Sequence, residues 1–274
     1  MKISLIMATL NRIGEVKRFI DYLDRQIYRD FELVIVDQND DDRLVPVLKP
    51  YEEKFPILHL RSEKGLSRAR NVGLKCISGD IVAFPDDDCW YPPDLLLNVK
   101  ILMETNTLDG VSGSILTEDG KPIIRWKRRD CKVNKYNVWF TVLSASLFIK
   151  RNIVDIVGYF DENLGLPESA GEETDYVIRA LEKGATIFYF PNIVVRHRKF
   201  ITVYDQRSQN EVYKRARGIG TVLRKHQYPL WYLGYWQLRS LGRMVVSLAQ
   251  FNFPRMLNSL MVFKGRLEGW KHGR

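Results

Sequence analysis

Two hydrophobic patterns alternate along the first half of the chain. Ile3–Ala8, Phe31–Val36 (FELVIV) and Asp80–Phe84 (DIVAF) are continuous apolar runs, as expected of strands buried on both faces, and Ile57–Leu60 is a shorter one. Between them lie amphipathic stretches. Glu15–Gln26 places Val16, Phe19, Ile20 and Leu23 on one helical face, and Leu66–Ile77 does the same with Ala69, Val72, Gly73 and Cys76. Pro92-Pro93 opens a third helix running to about Glu104. This alternation predicts an α/β fold built on a single mixed, mostly parallel sheet. Acids follow two of the strands, at Asp37 and at Asp86–Asp88, where open α/β sheets place their ligands.

The second half reads as a mixture. Strands are expected at Gly110–Leu116 and Pro122–Trp126 around a Glu-Asp-Gly turn, and at Val142–Ile149, Ile187–Phe190 and Val194–Val195. Helices are expected at Asn152–Val157 and Thr174–Lys183. After His197 the pattern changes to long helical stretches rich in Arg, Trp, Tyr and Leu, so the predicted organisation is a body over 1–197 and a basic, amphipathic helical extension over 198–274.

Composition adds little until charge is mapped. At 45% hydrophobic and 27% charged residues the chain is globular rather than disordered. No run reaches the roughly 18 apolar residues of a membrane span, and MKISLIMATLNR reads as a first strand rather than a signal peptide. Cys76, Cys89 and Cys131 have no paired spacing, which argues for a reducing compartment and against a disulfide framework or zinc site. The net charge of +9 is concentrated. Residues 198–274 hold 15 Lys/Arg and 3 Asp/Glu, about +12, and residues 1–197 are close to neutral.

The candidate chemistry lies in the body. Asp86-Asp87-Asp88 follows a buried strand, and carboxylates two apart on an extended loop can face one side and share a divalent cation with a diphosphate; a solvated acidic turn is the plain alternative. Hard oxygen donors suit Mg²⁺ or Mn²⁺. Gly65-Leu66-Ser67-Arg68-Ala69-Arg70-Asn71-Val72-Gly73 offers helix N-terminal amides and guanidinium donors to an anion. Glu172, Glu173 and Asp175 open a helix, where acids are favoured by the macrodipole and where one can serve as a general base. His197 reads as a strand-end histidine or a metal ligand.

Taken in order, MATLNR, IVDQND, GLSRARNVG, FPDDDCW, GYFDE, GEETDYVIRAL and VVRH resemble the family-2 glycosyltransferases of the glycosyltransferase-A fold, over about residues 2–197. The resemblance implies a Rossmann-like half that binds a nucleotide sugar. It implies donor contacts from Thr9, Asn11, Arg12, Asp37, Arg70, Asp86 and Asp87. It implies Mn²⁺ or Mg²⁺ held by Asp88 with Asp86 and His197, and a catalytic base at Glu173 or Glu172, with Asp175 and Trp90 on the acceptor side. Glu173 stands where the family usually has Asp, and Gln38-Asn39 where it often has Asp-Gly. Direct displacement with inversion is likewise implied by the family.

The extension suggests where such an enzyme sits. Leu230–Phe251 sets Arg239, Arg243, Ser247 and Gln250 on one stripe and Leu238, Leu241, Val245, Leu248 and Ala249 across from it, with Trp231, Tyr232, Tyr235 and Trp236 at its start. The expected partners are therefore a nucleotide-sugar donor, a saccharide or lipid-linked saccharide acceptor and an anionic membrane surface, with an oligomer left open. The expected location is cytoplasmic, peripheral on the inner membrane face. Nucleotidyl transfer lacks its Gly-rich loop and Lys near the N-terminus. A nucleic-acid-binding protein would leave the acids without a purpose, and no nucleic acid is expected.

Overall fold

The computed structural model describes residues 1–165, 169–198 and 205–273. In chain order the elements are β1 (Ile3–Thr9), α1 (Ile13–Leu23), β2 (Phe31–Asp37), α2 (Val45–Leu48), β3 (Ile57–Arg61), α3 (Leu66–Leu74), β4 (Ile81–Ala83) and β5 (Cys89–Trp90). They continue with α4 (Leu95–Thr105), β6 (Gly110–Thr117), β7 (Cys131–Lys132), β8 (Leu147–Lys150), α5 (Arg151–Val157), α6 (Glu172–Glu182), β9 (Ile187–His197), α7 (Gln206–Lys225), α8 (Leu230–Ala249) and α9 (Phe253–His272).

The chain divides into two units. The first comprises residues 1–160 and 176–199, the second residues 161–175 and 200–274, so α6 begins in one and continues in the other. The first unit is a mixed sheet in the order β3-β2-β1-β4-β8-β6-β9-β5, with β7 paired to β9. Strands β3, β2, β1 and β4 are parallel, and β8 runs antiparallel to β4 and β6. The apolar runs are buried as their sequence demands: every residue of β1 is inaccessible or nearly so, and Val16, Phe19, Ile20 and Leu23 of α1 pack on it. Helix α3 lies so close to the sheet that a Cβ on Gly73 would sit 2.5 Å from Ile6 Cγ2, which is why glycine stands there.

Four expectations need correction. Pro122–Trp126 is not a strand; it touches β6 only through a Leu116–Pro122 bridge and two hydrogen bonds to Ile115 O, since Pro122 has no amide to extend a ladder. Val142–Ile149 is a strand only from Leu147, because Ser144–Ser146 turns as a 3₁₀ helix. The segments Ile187–Phe190 and Val194–Val195 are one strand, β9, whose register against β6 shifts at Gly113/Ser114. The helix after Pro92-Pro93 starts at Leu95. The second unit is helical, and α7 and α9 meet backbone to backbone, where a Cβ on Gly269 would fall 1.9 Å from Arg217 O and one on Gly220 2.1 Å from Arg266 O.

Candidate functional site

Parallel pairing brings several strand ends to one sheet edge. Thr9 at the end of β1 lies opposite Asp37 at the end of β2, and Ala8 bridges to Asp86 beyond β4. The two-residue strand β5 sets Cys89 opposite His197 at the end of β9. Asp88, one residue before β5, is thereby carried to the histidine: its Oδ1 lies 3.0 Å from His197 Nε2.

The three consecutive acids have different partners. Asp87 turns inward, accepting from Thr9 Oγ1 at 2.8 Å and from Arg12 Nη1 at 2.8 Å. Asp88 accepts from the same Arg12 Nη1 at 2.5 Å. Asp86 lies 3.2 Å from Nη2 of Arg70, a guanidinium only 1% exposed that also donates to Ser144 Oγ at 2.9 Å and faces the Phe84 and Phe160 rings. Their acidities diverge accordingly. Burial pushes the Asp87 carboxyl up to about 6, against the pull of Arg12 and Thr9. Burial also works against Asp88, but His197 and Arg12 outweigh it and hold that carboxyl down at about 2.

His197 gives the clearest reading of what this corner binds. Its Nδ1 is 2.6 Å from the Arg198 carbonyl, which can only accept, so Nδ1 carries the hydrogen. In a neutral ring Nε2 then presents a lone pair to the Asp88 carboxylate, and two acceptors cannot satisfy one another. Either a second proton or a metal cation must stand at Nε2. Although burial opposes it, hydrogen bonding to Asp88 and to the Arg198 carbonyl raises the histidine's pKa. Among the described residues no cluster of three or more His, Cys, Asp or Glu side chains is preassembled for a metal. At this corner Asp88 and His197 offer a carboxylate and an imidazole. That donor set suits Mn²⁺ or Mg²⁺ when an anionic ligand supplies further oxygens.

The other expected residues fall as follows. Asp37 is fully buried and accepts from Asn39 N at 2.9 Å, Asn39 Nδ2 at 2.6 Å and Arg61 Nη1 at 2.8 Å, with His59 Nε2 at 3.0 Å. Asn11, in the left-handed region at φ 58, donates its amide to Asn39 Oδ1 and accepts from Arg43. Arg68 pairs with Glu63 and Arg70 turns inward, so the two arginines of α3 do not form one anion site. Trp90 is buried beneath the Arg18 guanidinium, 4.5 Å from the ring centroid. Glu172, Glu173 and Asp175 share the first turn of α6 after Gly171, which adopts φ +98. Glu172 is buried, and Glu173 is more open to solvent. Asp175 is inaccessible, held by His226 Nε2 and Lys225 Nζ, both at 2.9 Å. An acceptor touching Trp90 or Asp175 would first have to displace these partners.

Sequence reasoning missed Ser144, His59, Arg61 and Asn39. Ser144 reaches Arg70 across 74 residues, with no local signal. His59 sits two residues from Arg61 on β3, a spacing that puts both on one strand face beside Asp37 and was legible as alternation.

Comparison with known proteins agrees with this architecture. The sequence is 27% identical to an uncharacterised glycosyltransferase, YwdF, of Bacillus subtilis over 60% of this chain and 63% of that protein. It is 31% identical to a dolichol-phosphate mannosyltransferase of Pyrococcus furiosus over 44% of this chain and 35% of the relative. It is 29% identical to the Escherichia coli UDP-Glc:alpha-D-GlcNAc-diphosphoundecaprenol beta-1,3-glucosyltransferase WfgD over 38% and 42%. In each case the match spans less than two thirds of the relative's length. Among solved structures the mannosyltransferase PcManGT from Pyrobaculum calidifontis, in complex with GDP-Man and Mn²⁺, superposes with a TM-score of 0.69 at 17% identity, covering 99% of this chain and 88% of that one. Staphylococcus aureus TarS 1-349 in complex with UDP-GlcNAc gives 0.61 at 16% identity, covering 98% and 92%. At such identities the likeness is one of fold, the glycosyltransferase-A type expected from the sequence. The profile of glycosyl transferase family 2 matches residues 4–158, more than half of the chain and the whole run from β1 through α5, and the protein belongs to that family.

Proposed function

We propose that the protein is an inverting, divalent-metal-dependent transferase. It moves a sugar from a nucleoside-diphosphate donor, with UDP favoured, to a hydroxyl of a saccharide carried on a lipid, at the inner face of a membrane. The observation that carries this is the Asp88–His197 pair, a carboxylate facing an imidazole whose other nitrogen is already spent on a carbonyl. Support for the donor and the lipid-linked acceptor comes from the activity that the name of WfgD states, and support for the metal from the PcManGT complex.

When bound, Mn²⁺ or Mg²⁺ on Asp88 and His197, with Asp86 two residues before Asp88, would supply positive charge for the diphosphate leaving group. The chain's own residues do the rest. Arg12 is fixed by Asp87 and Asp88 at the head of α1, where its guanidinium stays partly open and can meet an anion, while the buried Arg70 holds Asp86 and Ser144 in place. Glu173 takes the proton of the acceptor hydroxyl as its oxygen attacks the anomeric carbon. The bond from that carbon to the β-phosphate oxygen breaks, and the electron pair leaves with the nucleoside diphosphate. Attack opposite the leaving group inverts the centre. Glu173 is preferred to Glu172 because it is the more open to solvent.

The test is transfer from a panel of UDP- and GDP-sugars to lipid-linked saccharides, with the product anomer read by NMR. Chelation should abolish transfer and Mn²⁺ restore it. Glu173→Gln should lower turnover about 10²–10⁴-fold with donor affinity little changed. An inactive Glu172→Gln beside an active Glu173→Gln would move the base by one residue. Full activity in both, or a retained anomer, would refute the mechanism.

A further inference from the structure

Helix α8 is folded with its polarity reversed. Around α8 at about 100° per residue, Leu230, Trp231, Tyr235, Leu238, Leu241, Val245, Val246 and Leu248 occupy one continuous arc of roughly half the circumference, and all are exposed. The opposite arc is buried and carries Gln237, Ser240 and Ser247 beside Tyr232, Leu233 and Trp236. The buried residues of α9 are no more apolar: Ser259, Gly265, Arg266 and Gly269. Among the described residues no carboxylate pairs with Arg266. It donates to Trp236 O and Ser240 Oγ and lies over the Trp236 ring, while its Nε is buried with no partner. Between the two helices Phe251 is 82% exposed, and Phe253 at the start of α9 is 55% exposed. In water a helix pair gains by turning its apolar stripe inward. Helix α8 instead keeps Gln237, Ser240 and Ser247 inside and presents leucine, valine and aromatic rings outward, which is favourable when the surroundings are apolar. Of the four aromatics expected at the head of α8, only Trp231 and Tyr235 face out; Tyr232 and Trp236 are packed.

Charge selects the apolar medium. Residues 212–267 contain ten Lys or Arg and no Asp or Glu. Arg239 borders the apolar arc, Arg243 is exposed further along α8, and Arg255 is exposed in the first turn of α9. A second copy of this chain would bring like charge against like charge. A leaflet of anionic lipid complements it: apolar side chains enter the acyl boundary and arginines meet the headgroups. Among the described residues no helix is long and apolar enough to cross a membrane.

We infer that the outer face of α8, with the Phe251–Phe253 turn, lies in the plane of an anionic leaflet with its apolar side chains inserted below the headgroups. This rests on the membrane location proposed above and specifies the surface, the orientation and the mode, which is insertion rather than electrostatic adsorption.

The test mixes the full chain with vesicles of phosphatidylcholine, with or without phosphatidylglycerol, some carrying brominated acyl chains. Binding should require phosphatidylglycerol, and a fraction should stay bound in salt that screens surface charge. Bromine should quench tryptophan fluorescence, and Trp231→Phe should remove most of that quenching. Leu238→Asp with Val245→Asp should weaken partitioning at least about tenfold, while titration with UDP and Mn²⁺ gives the wild-type affinity. Complete release by salt without quenching would overturn insertion in favour of adsorption. No vesicle binding, with a dimer in sedimentation velocity that the double variant dissolves, would assign the face to a second copy instead. Since the donor titration is read separately, loss of insertion and loss of transferase chemistry remain distinguishable.

Discussion

At the scale of single residues, the acids of the first unit differ in what holds them, and partners separate those that fix the fold from those proposed to meet ligands. Glu32 is a fold acid. Paired with Ser4 in register on neighbouring strands, it accepts from Ser4 Oγ, Ser78 N and Ser78 Oγ, each at 2.6 Å, and pairs with Lys2 at 2.6 Å. Burial opposes its charge, but these donors outweigh burial and hold its carboxyl down at about 2. A carboxyl depressed in the folded state stabilises above its unfolded pKa, near 4.5, and that contribution is lost as pH falls toward 2. Glu32→Gln should therefore cost about 1 kcal/mol at pH 7, after allowance for solvent screening, and little at pH 2. Urea unfolding of both proteins at the two pH values measures this, and an equal cost at both would contradict the ion pairing. Such a carboxylate carries no motif, and nothing in the local sequence separates Glu32 from a surface acid. Asp86–Asp88 were legible because three acids after a buried strand are costly without a purpose. The division of labour among them was not, because it depends on Thr9, Arg12, Arg70, Ser144 and His197, which pairing and packing bring from far along the chain.

At the scale of elements, periodicity located nearly every strand and helix longer than about five residues, since each buries a face that the sequence must keep apolar. What escaped detection was short or irregular. Strand β5 has two residues and exists because β9 offers it an edge, yet it is the element that carries Asp88 to His197. The β6–β9 bulge and the Ser144–Ser146 turn are likewise products of packing. The helical extension was legible as helix, but not the way α7 and α9 touch. Their approach leaves no room for a side chain at Gly269, so Gly269→Ala should push the helices apart and destabilise the protein by about 3 kcal/mol, at the upper end for overpacking. Gly234→Ala on α8, where a Cβ would meet nothing within 4 Å, should be neutral or stabilising by up to about 1 kcal/mol through helix propensity. Equal melting temperatures for the two variants would show that α7 and α9 do not pack as described.

At the scale of the whole molecule, a family-2 glycosyltransferase body is followed by a helical unit whose charge and outward apolar α8 face carry the membrane proposal. The fold class was legible because strand–helix alternation with acids at strand ends leaves few architectures. The second unit's inclusion of residues 161–175 was not, since that grouping arises from Lys225 and His226 reaching back to Asp161 and Asp175. The central claim is that Asp88 and His197 together hold a divalent cation for a nucleoside diphosphate. Calorimetric titration of UDP into the wild-type protein and into Asp88→Ala, each with Mn²⁺ and with chelator, tests it most directly. Mn²⁺ should tighten UDP binding to the wild type by at least about tenfold, a difference of about 1.4 kcal/mol, and give no such gain in the folded Asp88→Ala variant. Equal UDP affinity with and without Mn²⁺ in the wild type, or an undiminished Mn²⁺ effect in Asp88→Ala, would contradict it.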